Sequence, residues 1–386
     1  MKVLVRVPNW IGDAVLSVAA LRELRRLYPG AHITVLCRSW VGGLFDDLEV
    51  VDRVMTLPDD WFVASRGPRL KPSALVNLAR RLKSEHYDRA VLFQNALEAA
   101  LLAFGARIPE RVGYATDRRR LLLTASCQPR TRRASLLRSF AVRTAFRAGL
   151  RAFPSRWWPP RTGRDHEVYY YLDLLYRTRL APLDYVHDVD FRPDVRLVAG
   201  NGAREKAVRM LDEHQVRKMD SLVIINPGSA YGTAKRWLED RFAAVADRLA
   251  SDYGAQILIF GWGADSRLAE QIAARMVNRA VILTGPPDLS RTLGLIAASR
   301  LMITSDSGPM HLAAGLNAAQ VALFGSTDPV TTGPLSESAR VICRSVECSP
   351  CHLRRCPIDM RCWSRIEVDE VVEAAARLLG TVRCDS

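Results

Sequence analysis

The chain begins with a short β-branched run, residues 2–7, that predicts a strand, and then a turn, Pro8-Asn9-Trp10-Ile11-Gly12-Asp13. Over 14–27 the apolar period changes. Val15, Val18, Ala19 and Leu21 recur at helical spacing, and Pro29-Gly30 ends the run. A strand over 32–36 follows, then a helix over 73–84 and a strand over 88–93. Strands that alternate with helices predict a parallel sheet covered on both faces, since each crossover helix returns the chain along one face.

The rhythm restarts later. Strands are predicted over 222–225, 256–260, 280–283, 301–304 and 321–324. The helices between them cover 239–251, 268–277, 289–298 and 309–315, and a last helix covers 368–379. The two α/β series are separated by an Arg-rich region and by a polar stretch over 192–220. The expected architecture is therefore α/β, with two Rossmann-like, doubly wound domains facing a cleft. Such sheets bind ligands at the carboxyl ends of their strands. The domains are expected over 1–190 and 191–365, with a terminal helical piece over 366–386.

The 386 residues suit two domains, and 48% hydrophobic with 25% charged residues excludes a disordered or collagen-like chain. No run of about 18 apolar residues suggests a membrane-crossing helix. The opening apolar run is short and carries Arg6, which argues against a secretory signal and for a cytoplasmic location. The net charge of +14 is uneven: between Arg118 and Arg164 stand thirteen arginines, no lysine and no acidic residue. Guanidinium forks suit carboxylates and phosphates, so the partners to consider are nucleic acid, an anionic membrane surface or a large acidic substrate. A solvated basic face is the plainer alternative. No recognised nucleic-acid motif accompanies the arginines, so a nucleic-acid partner is not expected.

Four segments carry candidate chemistry. The turn after the first strand offers only Gly12, not a G-x-G-x-x-G loop, which counts against a nicotinamide or flavin cofactor. It offers Asp13 instead, either a general base or a charge at a helix N-terminus. The second segment, Asn226-Pro227-Gly228-Ser229-Ala230-Tyr231-Gly232-Thr233-Ala234-Lys235-Arg236-Trp237, places two cations after a small-residue loop. That suits a diphosphate, although a solvated Lys–Arg pair has the same appearance. In the third, Thr304-Ser305-Asp306-Ser307-Gly308-Pro309-Met310-His311, a strand feeds a polar turn and a helix with Pro in its first turn, a natural anion site. Gly325-Ser326-Thr327 supplies another small polar turn at the same sheet edge. The fourth is Cys348-x2-Cys351-x4-Cys356-x5-Cys362. Six of the eight cysteines lie at or after Cys343. In a cytoplasmic protein such a cluster suggests a structural metal more than disulfides, and packed thiols are the alternative.

These segments, in this order, resemble glycosyltransferase family 9, the ADP-heptose:lipopolysaccharide heptosyltransferases. The Asn9-Trp10-Ile11-Gly12-Asp13 turn and Ala234-Lys235-Arg236-Trp237 are most similar to the heptosyltransferase II branch. The resemblance implies the GT-B fold, with the C-terminal helix crossing back to the first domain. It implies an inverting transfer of L-glycero-D-manno-heptose from ADP-heptose to heptosyl-Kdo-lipid A, without a cofactor or catalytic metal. Asp13 would be the base, and Lys235 would neutralise the leaving diphosphate. Ser229, Asp306, Ser307, Gly308 and His311 would line the donor site, with Asp265 near the adenine. Asn9, Gly12, Arg118, Arg119 and Arg120 would meet the anionic acceptor, at the cytoplasmic face of the inner membrane. Heptosyltransferases I and III, or a transferase of another sugar, share these donor motifs. From a different class, a non-catalytic basic nucleic-acid-binding protein would show tight binding to DNA.

Overall fold

The computed structural model describes residues 1–57, 62–63, 69–70, 72–129, 165–181, 191–216, 221–285 and 288–381. The chain divides into two compact units. One is built from Met1–Thr131 and Glu167–Val195, and the other carries Arg196–Ser386. The arginines over 130–164 fall outside the described residues, as does Cys384.

In the first unit β1 (Lys2–Arg6) leads into α1 (Ile11–Leu27). There follow β2 (His32–Arg38), β3 (Arg53–Leu57), α2 (Pro72–Ser84), β4 (Arg89–Leu92), α3 (Leu97–Gly105), β5 (Glu110–Tyr114) and β6 (Ala125–Cys127). After the Arg-rich stretch the chain returns as α4 (Val168–Arg177), which packs on α1. The sheet order is β3-β2-β1-β4-β5-β6, and every pairing is parallel. Val3 sits between Ile33 and Arg89. The chain leaves β1 first to one side and then to the other, so the crevice of this sheet opens beyond the carboxyl ends of β1 and β4. The Asn9–Asp13 turn lies there.

The second unit repeats the plan. Its elements are α5 (Asn201–Glu213), β7 (Leu222–Asn226), α6 (Glu239–Tyr253), β8 (Gln256–Trp262), α7 (Ser266–Ala273), β9 (Ala280–Gly285), α8 (Leu289–Ala298), β10 (Leu301–Ser305), α9 (Gly308–Gly315), β11 (Gln320–Phe324), β12 (Ala339–Cys343) and α10 (Val368–Thr381). The order β9-β8-β7-β10-β11-β12 is again all parallel and puts the switch between β7 and β10. Leu222, Val223, Ile224 and Ile225 are all fully buried, as a strand covered on both faces requires. Val223, Ile225, Ile303 and Leu323 pack with Phe242, Leu249, Ile272 and Trp363 in one core.

Three expectations are corrected. The polar stretch over 192–220 contains α5, whose narrow apolar face, Ala203, Ala207 and Leu211, is spaced i, i+4, i+8 in an otherwise charged helix. Gly294 of α8 admits it: a Cβ there would stand 2.1 Å from the Ala203 carbonyl oxygen. The terminal helix expected to cross back to the first domain is instead part of the second. Val371, Val372, Ala375 and Leu378 of α10 belong to the same core as Val223 and Phe242.

The third correction concerns Arg119, expected to grip an acceptor. Its side chain is fully buried. Nε donates to the Tyr114 carbonyl at 2.8 Å, one terminal nitrogen donates to the Gln94 carbonyl, and the other reaches Asn95 Oδ1 at 3.2 Å. Burial pushes its pKa down to about 10, still a cation at neutral pH. Gly113 makes room for it, since a Cβ there would lie 3.2 Å from the guanidinium. Arg119 therefore ties the carboxyl ends of β4 and β5 together, while Arg118 and Arg120 point to solvent. Removing the guanidinium strands buried acceptors at about 1–3 kcal/mol each. Arg119→Ala is expected to lower the urea-unfolding free energy by about 3 kcal/mol or more, and Arg120→Ala by less than about 0.5 kcal/mol. Equal losses for the two variants would contradict this placement.

Candidate functional site

The second sheet delivers a cluster of polar groups to its switch point. β7 ends in Asn226, whose amide donates to Thr304 Oγ1 and Ser307 Oγ, both at 2.8 Å. These bonds lock the turn after β7 to the turn after β10. Asp306, the first residue after β10, is 3% exposed, and its Oδ2 accepts from two sides. Lys235 Nζ and Thr327 Oγ1 each approach it at 2.6 Å. Lys235 reaches this point from a single 3₁₀ turn, Thr233–Lys235, and its ammonium also lies 5.0 Å from the Tyr231 ring centroid.

Helix α9 starts two residues beyond Asp306. Its N-cap Ser307 is extended and makes no side-chain capping bond, because Asn226 already engages its hydroxyl. Pro309 sits in the first turn and contributes no amide. The first-turn dipole is therefore uncapped by any side chain, with Lys235 held against the preceding residue. A helix N-terminus with a cation beside it attracts anions, and phosphates in particular. His311, one turn into α9, and Ser229, in the loop after β7, are both buried. Ser305 and Ser326, at the ends of β10 and β11, bury hydroxyls that have no hydrogen-bond partner among the described residues.

A second pair flanks this cluster. Arg236 donates to Asp265 Oδ1 at 2.6 Å. Asp265 lies across Gly228, where a Cβ would stand 2.2 Å from its Oδ2, so only glycine fits the loop there. Burial pushes the Asp265 pKa up, and Arg236 pulls it the other way. Phe260 and Trp262, on the strand that leads to Asp265, stack at 5.0 Å and 21°. The structure thus brings two bonded sets together at one turn, Asn226–Thr304–Ser307 and Lys235–Asp306–Thr327, with Gly308 and His311 on the adjoining helix. Asn226 and Thr327 stood in sequence segments singled out for other residues, since their partners arrive only through strand pairing.

The first unit holds the remaining candidates. Asn9 is fixed twice: Arg6 donates to its Oδ1 at 2.7 Å, and Trp40 Nε1 donates to its carbonyl at 3.0 Å. Arg6 is 1% exposed, and burial pushes its pKa down to about 10. A charged residue inside an apolar strand was the signal for this anchor. Helix α1 begins at Ile11, not at 14, so Gly12 and the half-buried Asp13 form its first turn.

Cys348, Cys351 and Cys362 are buried and Cys356 is half-buried. Burial and neighbouring thiols push Cys348 up to about 11 and Cys362 up to about 12. Among the described residues no group of three or more His, Cys, Asp or Glu side chains is arranged to hold a metal ion, which counts against the structural metal. Nor, among them, is any helix long and apolar enough to cross a membrane.

Comparison with known proteins gives this geometry a context. The sequence pattern of glycosyltransferase family 9 (heptosyltransferase) matches residues 75–152 and 165–361. Lipopolysaccharide heptosyltransferase 2 of Escherichia coli is 29% identical over 346 residues, 89% of this chain and 88% of that protein. Its counterpart from Salmonella typhimurium is 28% identical over the same shares. The solved structure of E. coli ADP-heptose lps heptosyltransferase II has a TM-score of 0.76 at 26% identity and covers 99% of both chains. Two six-stranded parallel sheets, each with its switch point at a candidate site, agree with that GT-B relative, and the chain belongs to glycosyltransferase family 9, the heptosyltransferases.

Proposed function

We propose that the protein moves L-glycero-D-manno-heptose from ADP-heptose to heptosyl-Kdo-lipid A, the inner core of lipopolysaccharide, with inversion at the anomeric carbon. The observation that carries this reading is the Lys235–Asp306 pair, which fixes a lysine beside the N-terminus of α9 at the switch point of the second sheet. Similarity over 89% of the chain to heptosyltransferase 2 proteins supports the choice of sugar and acceptor.

The chemistry is a single displacement. An acceptor hydroxyl attacks the heptose anomeric carbon from the face opposite ADP, and its proton passes to the Asp13 carboxylate. The C1–O bond breaks, and its electrons leave on the diphosphate. Lys235 and the first-turn amides of α9, Gly308 among them, offset the charge that develops there. Ser229 and Ser307 line the donor site, and Asp265 stands where β8 ends, near the adenine. On the acceptor side Asn9 and Gly12 shape the turn that carries Asp13, and the exposed Arg118 and Arg120 meet the core's carboxylates and phosphates. The acceptor sits in the cytoplasmic leaflet of the inner membrane, so the enzyme works there as a peripheral protein, with no cofactor and no nucleic-acid partner.

His311 takes part as a neutral group. Burial pushes its pKa down to about 4, although Asp306 pulls it upward. A neutral imidazole donates one hydrogen bond to a donor oxygen without charging the site. The sign of its linkage follows. In the unfolded chain the imidazole binds a proton near pH 6.5, and in the folded chain only near 4, so stability is lost as pH falls through that window. Unfolding in urea at pH 7 and near pH 4 is expected to differ by about 3 kcal/mol on account of this group, and His311→Gln removes that part of the slope. An unchanged slope in the variant would show that His311 is not held neutral.

The test of function is a transfer assay with ADP-heptose, read by mass spectrometry, on Kdo-lipid A with and without one heptose attached. One heptose added to the heptosylated acceptor alone supports the reading. Addition to the bare acceptor alone identifies a heptosyltransferase I activity, and addition to neither refutes the heptose reading. In the same assay Asp13→Ala is expected to lower kcat by about 10³-fold while ADP still binds, in line with the usual contribution of a general base.

A further inference from the structure

The loop after β7 is clamped to the Cys-rich loop that precedes α10. Gly232 has φ of 151°, a conformation that favours glycine, and a Cβ there would lie 2.3 Å from the Arg354 carbonyl oxygen. That carbonyl accepts from the Ala234 amide at 3.1 Å. Trp363 Nε1 donates to the Ala234 carbonyl at 2.7 Å. The Tyr231 hydroxyl donates to the His352 carbonyl at 2.8 Å, and the His352 amide donates to the Ser326 carbonyl at 2.8 Å. The Tyr231 ring is thereby fixed at both its backbone and its hydroxyl.

Two cations use that ring. Lys235 Nζ lies 5.0 Å from its centroid and the Arg354 guanidinium carbon 5.3 Å, so the two charges are no more than about 10 Å apart. Like charges held this close raise each other's energy unless an anion comes between them or beside them. Asp306 compensates Lys235. Arg354 is exposed, and among the described residues it makes no ion pair. Contact with an aromatic ring restrains a guanidinium while its N–H donors stay available, and their fork matches phosphate oxygens.

We propose that Arg354 is a second cation for the diphosphate of the donor, and that Tyr231 is the positioning residue that holds it beside Lys235. This rests on the ADP-sugar reading above. Cys348 and Cys362, on either side of Arg354 in the chain, belong to the core of the second unit and anchor the loop that carries Arg354. A diphosphate that gains charge on leaving is met by two cations, one with a built-in counterion and one without.

The test is calorimetric titration of the full chain with ADP and, separately, with adenosine, comparing the wild type with Arg354→Met, Arg354→Lys and Tyr231→Leu. Arg354→Met is expected to weaken ADP binding about 10-fold or more and to leave adenosine binding unchanged, as the loss of a charge-assisted phosphate contact requires. Arg354→Lys restores part of the loss, and Tyr231→Leu shows the same ADP-selective weakening. ADP affinity unchanged in Arg354→Met overturns the proposal, as does an equal loss for ADP and adenosine, which marks the residue as structural. A wild type that binds adenosine but gains nothing from the diphosphate overturns the donor reading and this proposal with it.

Discussion

A lysine and an aspartate whose polar atoms stand 2.6 Å apart, with side chains 14% and 4% exposed, sit at the carboxyl end of β10. Buried charges are costly to desolvate, and such a pair adds little net stability. Removing one partner, however, leaves an uncompensated charge at about 3–5 kcal/mol. The surroundings are built to keep the pair intact. Thr327 supplies the second bond to Asp306, Tyr231 backs Lys235, and Asn226 binds Thr304 and Ser307 on either side of Asp306. The result is an ammonium group held in place near a helix N-terminus. In our proposal a diphosphate lands there.

The two units solve one problem twice. Each places its crevice between the central strand and the strand added after the chain reverses direction, and each ends its central strand in a polar side chain that braces a turn at the carboxyl edge of the sheet. In the first unit Arg6 holds Asn9, and in the second Asn226 holds Ser307. What differs is the charge presented. The first unit brings a carboxylate, Asp13, on the first turn of α1, and the second brings Lys235 with the uncapped start of α9.

The fold was largely legible because parallel strands covered on both faces are continuous apolar runs, as at 222–225, and their helices keep a clean period. Seven elements escaped notice: β3, α3, β5, α4 and β12 despite lengths of five to ten residues, and α5 and β6 because their signals are weak or short. α5 buries only Ala203, Ala207 and Leu211, and β6 has three residues. The polar residues expected on the donor side were legible as turns that follow strands, and the structure brings several of them together at one sheet edge. Arg119 misled because a run of three arginines carries no sign of which one turns inward. Only the Gly113 opening and the carbonyls of Gln94 and Tyr114 decide that. The link between the loop after β7 and the Cys-rich loop was invisible for a similar reason. It depends on a backbone contact between Gly232 and Arg354, residues more than a hundred positions apart.

The central claim is that the Lys235–Asp306 pair marks where the nucleoside diphosphate binds. A crystal structure of the protein with ADP tests it most directly. The account predicts diphosphate oxygens about 3 Å from Lys235 Nζ and from the first-turn amides of α9, hydrogen-bonding distance for charged groups. ADP bound with its phosphates away from the ends of β7 and β10, or seated on the first sheet beside Asp13, would contradict it.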